Sequence, residues 1–364
     1  MSLVCHPSGA RSTIGWILIG ALVIVALSFQ SCERTILPGV PTLADMQENF
    51  GRVYPVTSSD YLPFTSPPMT AITDPEGAFG AISYNALGCR GPDPRTIEKP
   101  PGKTRALLLG DSFVLGWGLR EEQSISGQLR ARLNPAPGPS RYEVINAGYR
   151  AGYSPDAYYA YLKKEGLALK PDWIAVQIFT HNDFNDVATN VWEETDELGG
   201  PTRLYSRRLF PDHRATLLSA KALPWNYKVP LLGRSRMFVA AGNGFNELFL
   251  GEDARIASDL VGEPLPPEET ARRMETALTA LSRLCEREHI PIVFLWFDWV
   301  GRHRSDHLQE PMLREVIEQK LRRPYRALHD VLQDSHRIPD DAHTNAEGAR
   351  VISDALYELA KPWM

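Results

Sequence analysis

Residues 107–113 read Leu-Leu-Leu-Gly-Asp-Ser-Phe, an apolar run followed at once by a turn that ends in a serine. A short, wholly apolar run is typical of a buried strand in a parallel sheet. A turn after such a strand presents Ser112 for nucleophilic attack, but a lone serine hydroxyl is a poor nucleophile near neutral pH. Catalysis also needs a histidine base, a carboxylate that orients the base, and hydrogen-bond donors that stabilise an oxyanion.

Further apolar runs of strand length alternate with helical patterns along the rest of the chain. The predicted buried strands are residues 106–109, 142–147, 173–179 and 292–297. The predicted helices begin at Ser154-Pro155-Asp156, at Pro266 and after a capping box of Thr344 with Glu347. This alternation predicts an α/β fold with three layers, in which helices cover both faces of a parallel sheet.

Four polar blocks follow predicted strands or lie near the C-terminus. They are Ser112, Asn146-Ala147-Gly148, His181-Asn182-Asp183 and Asp340-Asp341-Ala342-His343. The carboxyl ends of parallel strands lie along one edge of a sheet, so residues just beyond these ends can converge. Each block alone has an ordinary structural explanation such as a capped turn. The occurrence of all four in this order favours a catalytic site.

The four blocks together resemble the SGNH or GDSL hydrolase family, over residues 105–363 with an aromatic insertion set aside. The resemblance implies a flavodoxin-like fold and a serine hydrolase, with Ser112 as nucleophile, His343 as general base and Asp340 as the carboxylate that orients His343. It also implies an oxyanion hole formed by the backbone N–H groups of Ser112 and Gly148 and the side-chain amide of Asn182.

Two positions near these blocks leave alternatives open. The family's third block is usually Gly-x-Asn-Asp, and this chain has Thr180 at the glycine position. If that position requires a positive φ, a β-branched threonine would be strained there. Asp341 adjoins Asp340 and could orient His343 if the turn were shifted by one residue.

The first 32 residues differ in composition from the rest of the chain. They contain no Asp or Glu, one basic residue at Arg11, and an apolar run over residues 14–29. The run is short for a membrane-spanning helix of about 20 residues, and it ends at Cys32 in a sequence that resembles a bacterial lipoprotein cleavage box. A signal anchor and a lipoprotein signal both remain open. Both predict a membrane-attached protein on the extracytoplasmic side of a bacterial membrane.

Residues 33–103 are predicted to form a linker and an N-terminal extension, because Pro, Thr and Ser are frequent from residue 33 to about residue 68. Short apolar runs broken by glycine predict a small strand or hairpin within residues 78–92. The hydrolase domain then covers residues 104–364. It carries an insertion at about 184–262, which is rich in aromatic residues and lacks the strand–helix alternation. We expect this insertion to cap the active site, or else to form a subdomain with a small core of its own.

Composition excludes several classes of partner and cofactor. The chain has 364 residues and a net charge of −5 without long runs of one sign, so we predict no nucleic-acid partner. No pair of cysteines or histidines has the spacing of a metal site, and we predict no metal and no other cofactor. Cys89 and Cys285 are predicted to be two buried thiols, with a disulfide as the alternative. The oligomeric state is not indicated.

The functional prediction is a serine esterase that hydrolyses acyl esters, most often acetyl esters, through an acyl-serine intermediate. Its substrate would be a carbohydrate ester, another small ester or a lipid ester. One alternative is an O-acyltransferase that acts on an envelope polysaccharide through the same triad. A second alternative is a non-catalytic envelope-binding protein of this fold, which Thr180 and the insertion would favour.

Overall fold

The computed structural model describes residues 42, 59–66, 68, 71–73, 81–92, 96–207, 225–229, 232–249, 265–298, 309–339 and 341–364. The strands in this part of the chain are β1 (Ala71–Thr73), β2 (Ala81–Ser83), β3 (Thr104–Leu109), β4 (Tyr142–Asn146), β5 (Trp173–Phe179), β6 (Asn190–Thr195), β7 (Pro201–Ser206), β8 (Ile292–Phe297) and β9 (Tyr325–Ala327). The helices are α1 (Ser112–Leu115), α2 (Ile125–Leu133), α3 (Pro155–Lys164), α4 (Thr180–Thr189), α5 (Trp225–Lys228), α6 (Arg236–Phe249), α7 (Pro267–Arg287), α8 (Gln309–Arg314) and α9 (Ala346–Ala360). A π-helical segment, Glu315–Lys320, continues α8.

The central sheet has five parallel strands in the order β4-β3-β5-β8-β9. Numbered along the chain within this sheet, the order is 2-1-3-4-5, which is the flavodoxin-like arrangement. The predicted α/β fold with a parallel sheet is confirmed, and all four predicted strands are present. The edge strand β9 was not predicted, because three residues are too few to produce a recognisable pattern.

Helices cover both faces of this sheet. Leu107 and Leu109 of β3 pack into a core with side chains of α3 and α7, whereas Ala106 and Leu108 pack into a second core with side chains of α2 and α9. Successive side chains of a strand point to opposite faces, so one apolar strand supplies both cores. The three-layer α/β/α prediction is therefore confirmed.

Two predicted helix caps differ in the structure. Ser154 precedes α3, but its hydroxyl donates to Asp156 Oδ1 at 2.6 Å, and the structure gives it no capping bond to the helix. The last helix is capped by Asn345, whose Oδ1 accepts the N–H groups of residues 347 and 348. The predicted cap Thr344 forms a β-bridge with Arg337. The extended backbone therefore includes Thr344, and the helix cap is the next residue.

Parts of the predicted linker and extension pack against the hydrolase domain. Leu62 and Cys89 are buried in the core beside α3, and β1 pairs with β2 as an antiparallel ladder. Arg90 forms an antiparallel bridge with Asn146 at the edge of β4. Residues 59–66 and 81–92 are thus part of the folded unit.

The N-terminal segment of residues 1–32 and the proposed lipidation site lie outside the described residues. Within the described ranges, no helix combines the length and apolarity that a membrane span requires.

The beginning of the predicted insertion is anchored to α3. Residues 184–189 complete α4, and β6 pairs with β7 as an antiparallel hairpin. The buried carboxylate of Asp156 in α3 accepts hydrogen bonds from Asn190 Nδ2 and from Trp192 Nε1 at 2.8 Å. Leu204 of β7 is buried in the core beside α3. Residues 208–224 and 250–264 lie outside the described residues, and the cap hypothesis stays a prediction.

Cys89 and Cys285 are both buried free thiols, so the predicted pair of thiols is present rather than the alternative disulfide. Burial raises the pKa of each thiol to about 12, because a thiolate would be poorly solvated in these cores.

Candidate active site

The turn between β3 and α1 places Ser112 at the carboxyl edge of the sheet. In a 2-1-3-4-5 sheet the chain changes direction between β3 and β5, and a crevice opens beyond the ends of these two strands. Gly110 allows the tight turn, because a Cβ there would lie 2.2 Å from Val114 Cγ2. Asp111 is the N-cap of α1, and its Oδ1 accepts the Phe113 N–H at 2.9 Å. Ser112 is consequently the first residue of the helix, where backbone N–H groups have no acceptor within the helix.

The nucleophile and the predicted base are in direct contact. Ser112 Oγ lies 2.7 Å from His343 Nε2, although the two residues are 231 positions apart in the sequence. The His343 ring packs against Phe113, with ring centroids 5.1 Å apart. This hydrogen bond allows His343 to take the hydroxyl proton when Ser112 attacks.

Asp341, the alternative that the sequence leaves open, is the carboxylate in contact with the His343 ring. Asp341 Oδ1 lies 2.5 Å from His343 Nδ1 and accepts the His343 backbone N–H at 2.8 Å. This local turn holds the carboxylate against the ring. Asp340 lies outside the described residues. The contacts of Asp341 favour the one-residue shift that the sequence leaves open, and the role of Asp340 stays a prediction.

Asp341 also favours one imidazole tautomer of His343. A proton on His343 Nδ1 is donated to the carboxylate, which leaves Nε2 as an acceptor for the Ser112 hydroxyl. Burial acts to raise the pKa of Asp341, but hydrogen bonds and charge attraction from His343 outweigh it and hold that pKa below its ordinary value. Asp341 thus remains an ionised acceptor at neutral pH.

The third block forms the first turn of α4, directly after β5. Thr180 is the first helical residue, is buried, and is not among the described residues with positive φ. The threonine at the family's glycine position is therefore unstrained. Asp183 Oδ2 accepts the Phe179 N–H at 3.0 Å, which satisfies a backbone donor at the start of the helix and fixes the turn that carries Asn182.

Asp111 links this turn to the nucleophile. Asn182 Nδ2 donates to Asp111 Oδ2 at 3.0 Å, while the other oxygen of Asp111 caps α1. An amide nitrogen carries two hydrogens, so the second hydrogen of Asn182 is available to an oxyanion beside Ser112. The structure thus binds Asn182 to the residue that precedes Ser112, and its predicted place in the oxyanion hole stays a prediction.

Gly148 also lies beside the nucleophile, but its backbone N–H is already engaged. A Cβ at this position would lie 2.2 Å from Leu115 N, so only glycine allows this approach to α1. The Gly148 N–H donates to Asn146 Oδ1 at 3.0 Å. It would have to exchange this acceptor for the oxyanion, and its predicted role stays a prediction.

Two buried carboxyl groups lie behind the site. Burial, followed by the charges of Asp111 and Asp186, raises the pKa of Asp183 well above its ordinary value. Burial also raises the pKa of Asp111, against the opposing hydrogen bonds from Phe113 and Asn182. Each shift follows from the cost of placing a carboxylate in an apolar interior.

Within the described ranges, no group of three or more His, Cys, Asp or Glu side chains is arranged to hold a metal ion.

His181 lies in the first turn of α4, with its ring centroid 5.9 Å from that of Phe179. Ser112 Oγ is hydrogen-bonded to His343 Nε2, so a proton transfer from Ser112 does not need His181.

Asp111 and the Asn146 side chain make contacts in this site that the sequence does not reveal. Asp111 precedes a helix, and acidic residues are common N-caps, so a local signal for capping was present. Its second bond, to Asn182, joins residues 71 positions apart and has no local signal. Asn146 Nδ2 donates to Val114 O at 2.6 Å, a contact that depends on how β4 packs beside β3.

No family model matches the sequence, and no curated protein matches it. One similar solved structure is the psychrotrophic esterase EstA from Pseudoalteromonas sp., with 13% identity and a TM-score of 0.40 over 72% of this chain and 98% of that chain. TesA shows 11% identity and a TM-score of 0.40 over 72% and 100% of the two chains. Axe2, an acetylxylan esterase from Geobacillus stearothermophilus, shows 11% identity and a TM-score of 0.38 over 71% and 95%. At these levels of similarity, function has to be argued from the residues of this chain.

Proposed function

We propose that this protein is a serine esterase of the SGNH or GDSL type that works through an acyl-serine intermediate. The observation that carries the proposal is the continuous hydrogen-bonded chain from Ser112 through His343 to Asp341, with distances of 2.7 and 2.5 Å. This chain supplies a nucleophile, a base and an orienting carboxylate in one place.

The proposed reaction has two halves. Ser112 Oγ attacks the ester carbonyl carbon while its proton passes to His343 Nε2. The Ser112 N–H and the Asn182 amide stabilise the negative oxygen of the tetrahedral intermediate. The bond to the leaving alcohol then breaks, and His343 returns the proton to that alcohol. Water, activated by His343, next attacks the acyl-serine and releases the acid.

We further propose that the acyl group is acetyl and that the alcohol belongs to a carbohydrate outside the cytoplasm. The support is the apolar segment at residues 14–29, together with the four blocks, which resemble a family whose extracytoplasmic members often act on such esters. Attachment to a membrane through this segment or through Cys32 is part of the same proposal.

Labelling with a fluorophosphonate probe tests the nucleophile, because such probes react with activated serines. The wild-type protein should be labelled, and the Ser112→Ala variant should not. Absence of labelling in folded wild-type protein would contradict the proposal and leave the non-catalytic alternative. The unstrained Thr180 removes one argument for that alternative.

An assay with an aryl acetate, in the presence and absence of a glycan acceptor, separates hydrolysis from transfer. A hydrolase should release acetate to water at the same rate in both mixtures. Appearance of acetylated glycan, with a matching loss of free acetate, would instead identify the O-acyltransferase.

A further inference from the structure

Arg90 is a buried cation beside the nucleophile, although it belongs to the segment that precedes the hydrolase domain. Its side chain is 1% exposed. Its Nη1 donates to Leu115 O at 2.6 Å and to Gly116 O at 2.5 Å, and its Nη2 donates to Leu119 O. One guanidinium thus binds three carbonyl groups in the turn that follows α1.

Leu115 O is the last carbonyl of α1, whereas Gly116 O and Leu119 O follow in the turn, and Gly116 O also accepts the Leu119 N–H at 3.2 Å. The last carbonyl groups of any helix find no backbone N–H donor within that helix. Helix α1 has only four residues, so this holds for most of its carbonyl groups. Its carboxyl end also carries partial negative charge, which a cation stabilises. The backbone of the same turn closes on the nucleophile, since the N–H groups of Gly116 and Trp117 both donate to Ser112 O at 3.0 Å.

The Arg90 backbone connects this turn to the end of β4. Its N–H donates to Asn146 O at 3.1 Å. The Asn146 side chain in turn donates to Val114 O and accepts the Gly148 N–H. Arg90 and Asn146 therefore hold α1 and the Gly148 loop against each other, at the place where a Cβ on Gly148 would not fit.

Arg105 provides a contrast within the same chain. It is 0% exposed and is the second residue of β3, at the amino end of the strand. Its Nε binds the Glu143 carboxylate at 2.8 Å, and its Nη1 donates to the carbonyls of residues 97 and 169.

The guanidinium partners that the structure gives for Arg90 are carbonyls alone. The charges of Glu121 and Glu122 also act on Arg90, but among the described residues no carboxylate forms an ion pair with it. Burial of a cation without an ion pair is costly, and this cost points to a role beyond stability.

We propose that Arg90 is a positioning residue for the nucleophile, which fixes the carboxyl end of α1 so that Ser112 Oγ stays in reach of His343 Nε2. The segment 81–92 is then part of the catalytic unit rather than a linker to it. This inference rests on the proposed esterase function.

The test compares Arg90→Met and Arg90→Lys with Arg105→Met, in the full chain. Misplacement of a reacting group by about 1 Å can lower a rate by about 100-fold. Arg90→Met should therefore lower kcat for an aryl acetate by about 100-fold, with KM little changed, and Arg90→Lys should restore part of the loss. Arg105→Met should lower the melting temperature and leave kcat near that of the wild type.

Hydrogen exchange gives a readout that does not depend on activity. Arg90→Met should accelerate exchange of the amides in residues 112–119, and Arg105→Met should not. Wild-type kcat in folded Arg90→Met, or equal kcat losses in both methionine variants, would overturn the positioning role. If Arg90→Met does not fold, kcat and hydrogen exchange of Arg90→Lys test the positioning role instead. If the fluorophosphonate probe does not label the folded wild-type protein, the result would instead contradict the esterase proposal itself.

Discussion

Asp341 Oδ1 lies 2.5 Å from His343 Nδ1 and also accepts the backbone N–H of the same histidine. Two bonds from one carboxylate to one residue fix the position and the tautomer of the imidazole ring. Asp341, two positions before the histidine, thus makes the contact that the family resemblance assigns to Asp340, three positions before it.

Asp341→Asn should lower kcat by about 10⁴-fold, because an amide in place of the orienting carboxylate favours the wrong imidazole tautomer. Asp340→Asn is the matched control, and it should keep most of the activity because His343 Nδ1 is already engaged by Asp341. Steady-state kinetics with an aryl acetate measures both. A large loss in Asp340→Asn with an active Asp341→Asn would reverse the assignment.

Asn182→Ala should lower kcat by about 10²- to 10³-fold, which is the usual cost of removing one oxyanion donor. KM should change little, since the donor acts mainly on the transition state. The control is Asn185→Ala, one turn further along α4, where the exposed side chain donates to His181 O. Equal kinetics in wild type and Asn182→Ala would remove Asn182 from the oxyanion hole.

Gly148→Ala should destabilise the protein by about 1 to 3 kcal/mol and lower its activity, because the added Cβ meets the backbone of Leu115. Gly244→Ala in α6 is the control, since its Cβ would meet no atom within 4 Å. Alanine is the better helix former, so this variant should be neutral or slightly stabilised. Urea denaturation measures both changes. A Gly148→Ala protein with wild-type stability would show that the turn can widen.

The raised pKa of Asp183 predicts a pH-dependent stability effect with a definite sign. The Asp183 carboxyl holds its proton more tightly in the native protein than in the unfolded chain, where an aspartate has a pKa of about 3.9. The native fold therefore loses stability at this group as pH rises from about 4 toward the native pKa. Asp183→Asn abolishes that loss and retains an oxygen for the Phe179 N–H.

The free energy of unfolding of Asp183→Asn, minus that of the wild type, should consequently increase from pH 4 to pH 8. Urea denaturation at several pH values measures this difference. A difference that falls with rising pH would mean that Asp183 is stabilised as a carboxylate.

Cys89 and Cys285 should resist alkylation in the native protein, because burial raises both thiol pKa values to about 12 and blocks access to the sulfur atoms. Peptide mass spectrometry after iodoacetamide treatment should show both unlabelled until a denaturant is added. A peptide pair joined through these two residues, detected without reduction, would instead reveal a disulfide.

The sequence was sufficient for the features that depend on local pattern. Continuous apolar runs identified the four long strands, and their alternation with helical patterns identified the parallel α/β fold. Ser112, His343 and Asn182 were found because each follows a strand or precedes a helix at the C-terminus. The edge strand β9 and the true cap of α9 were missed, since three residues and a one-residue shift lie below the precision of such patterns.

The sequence by itself thus determined the four long strands of the sheet and the residue types of the candidate site, because strand patterns and turn chemistry are local properties. Only the tertiary structure decided that Asp341 contacts the His343 ring, that Asp111 joins Asn182 to the nucleophile turn, and that Arg90 binds the carbonyls behind Ser112. Each of these contacts depends on atoms being held at hydrogen-bond distance, and tertiary packing sets their positions. Sequence spacing does not encode such distances.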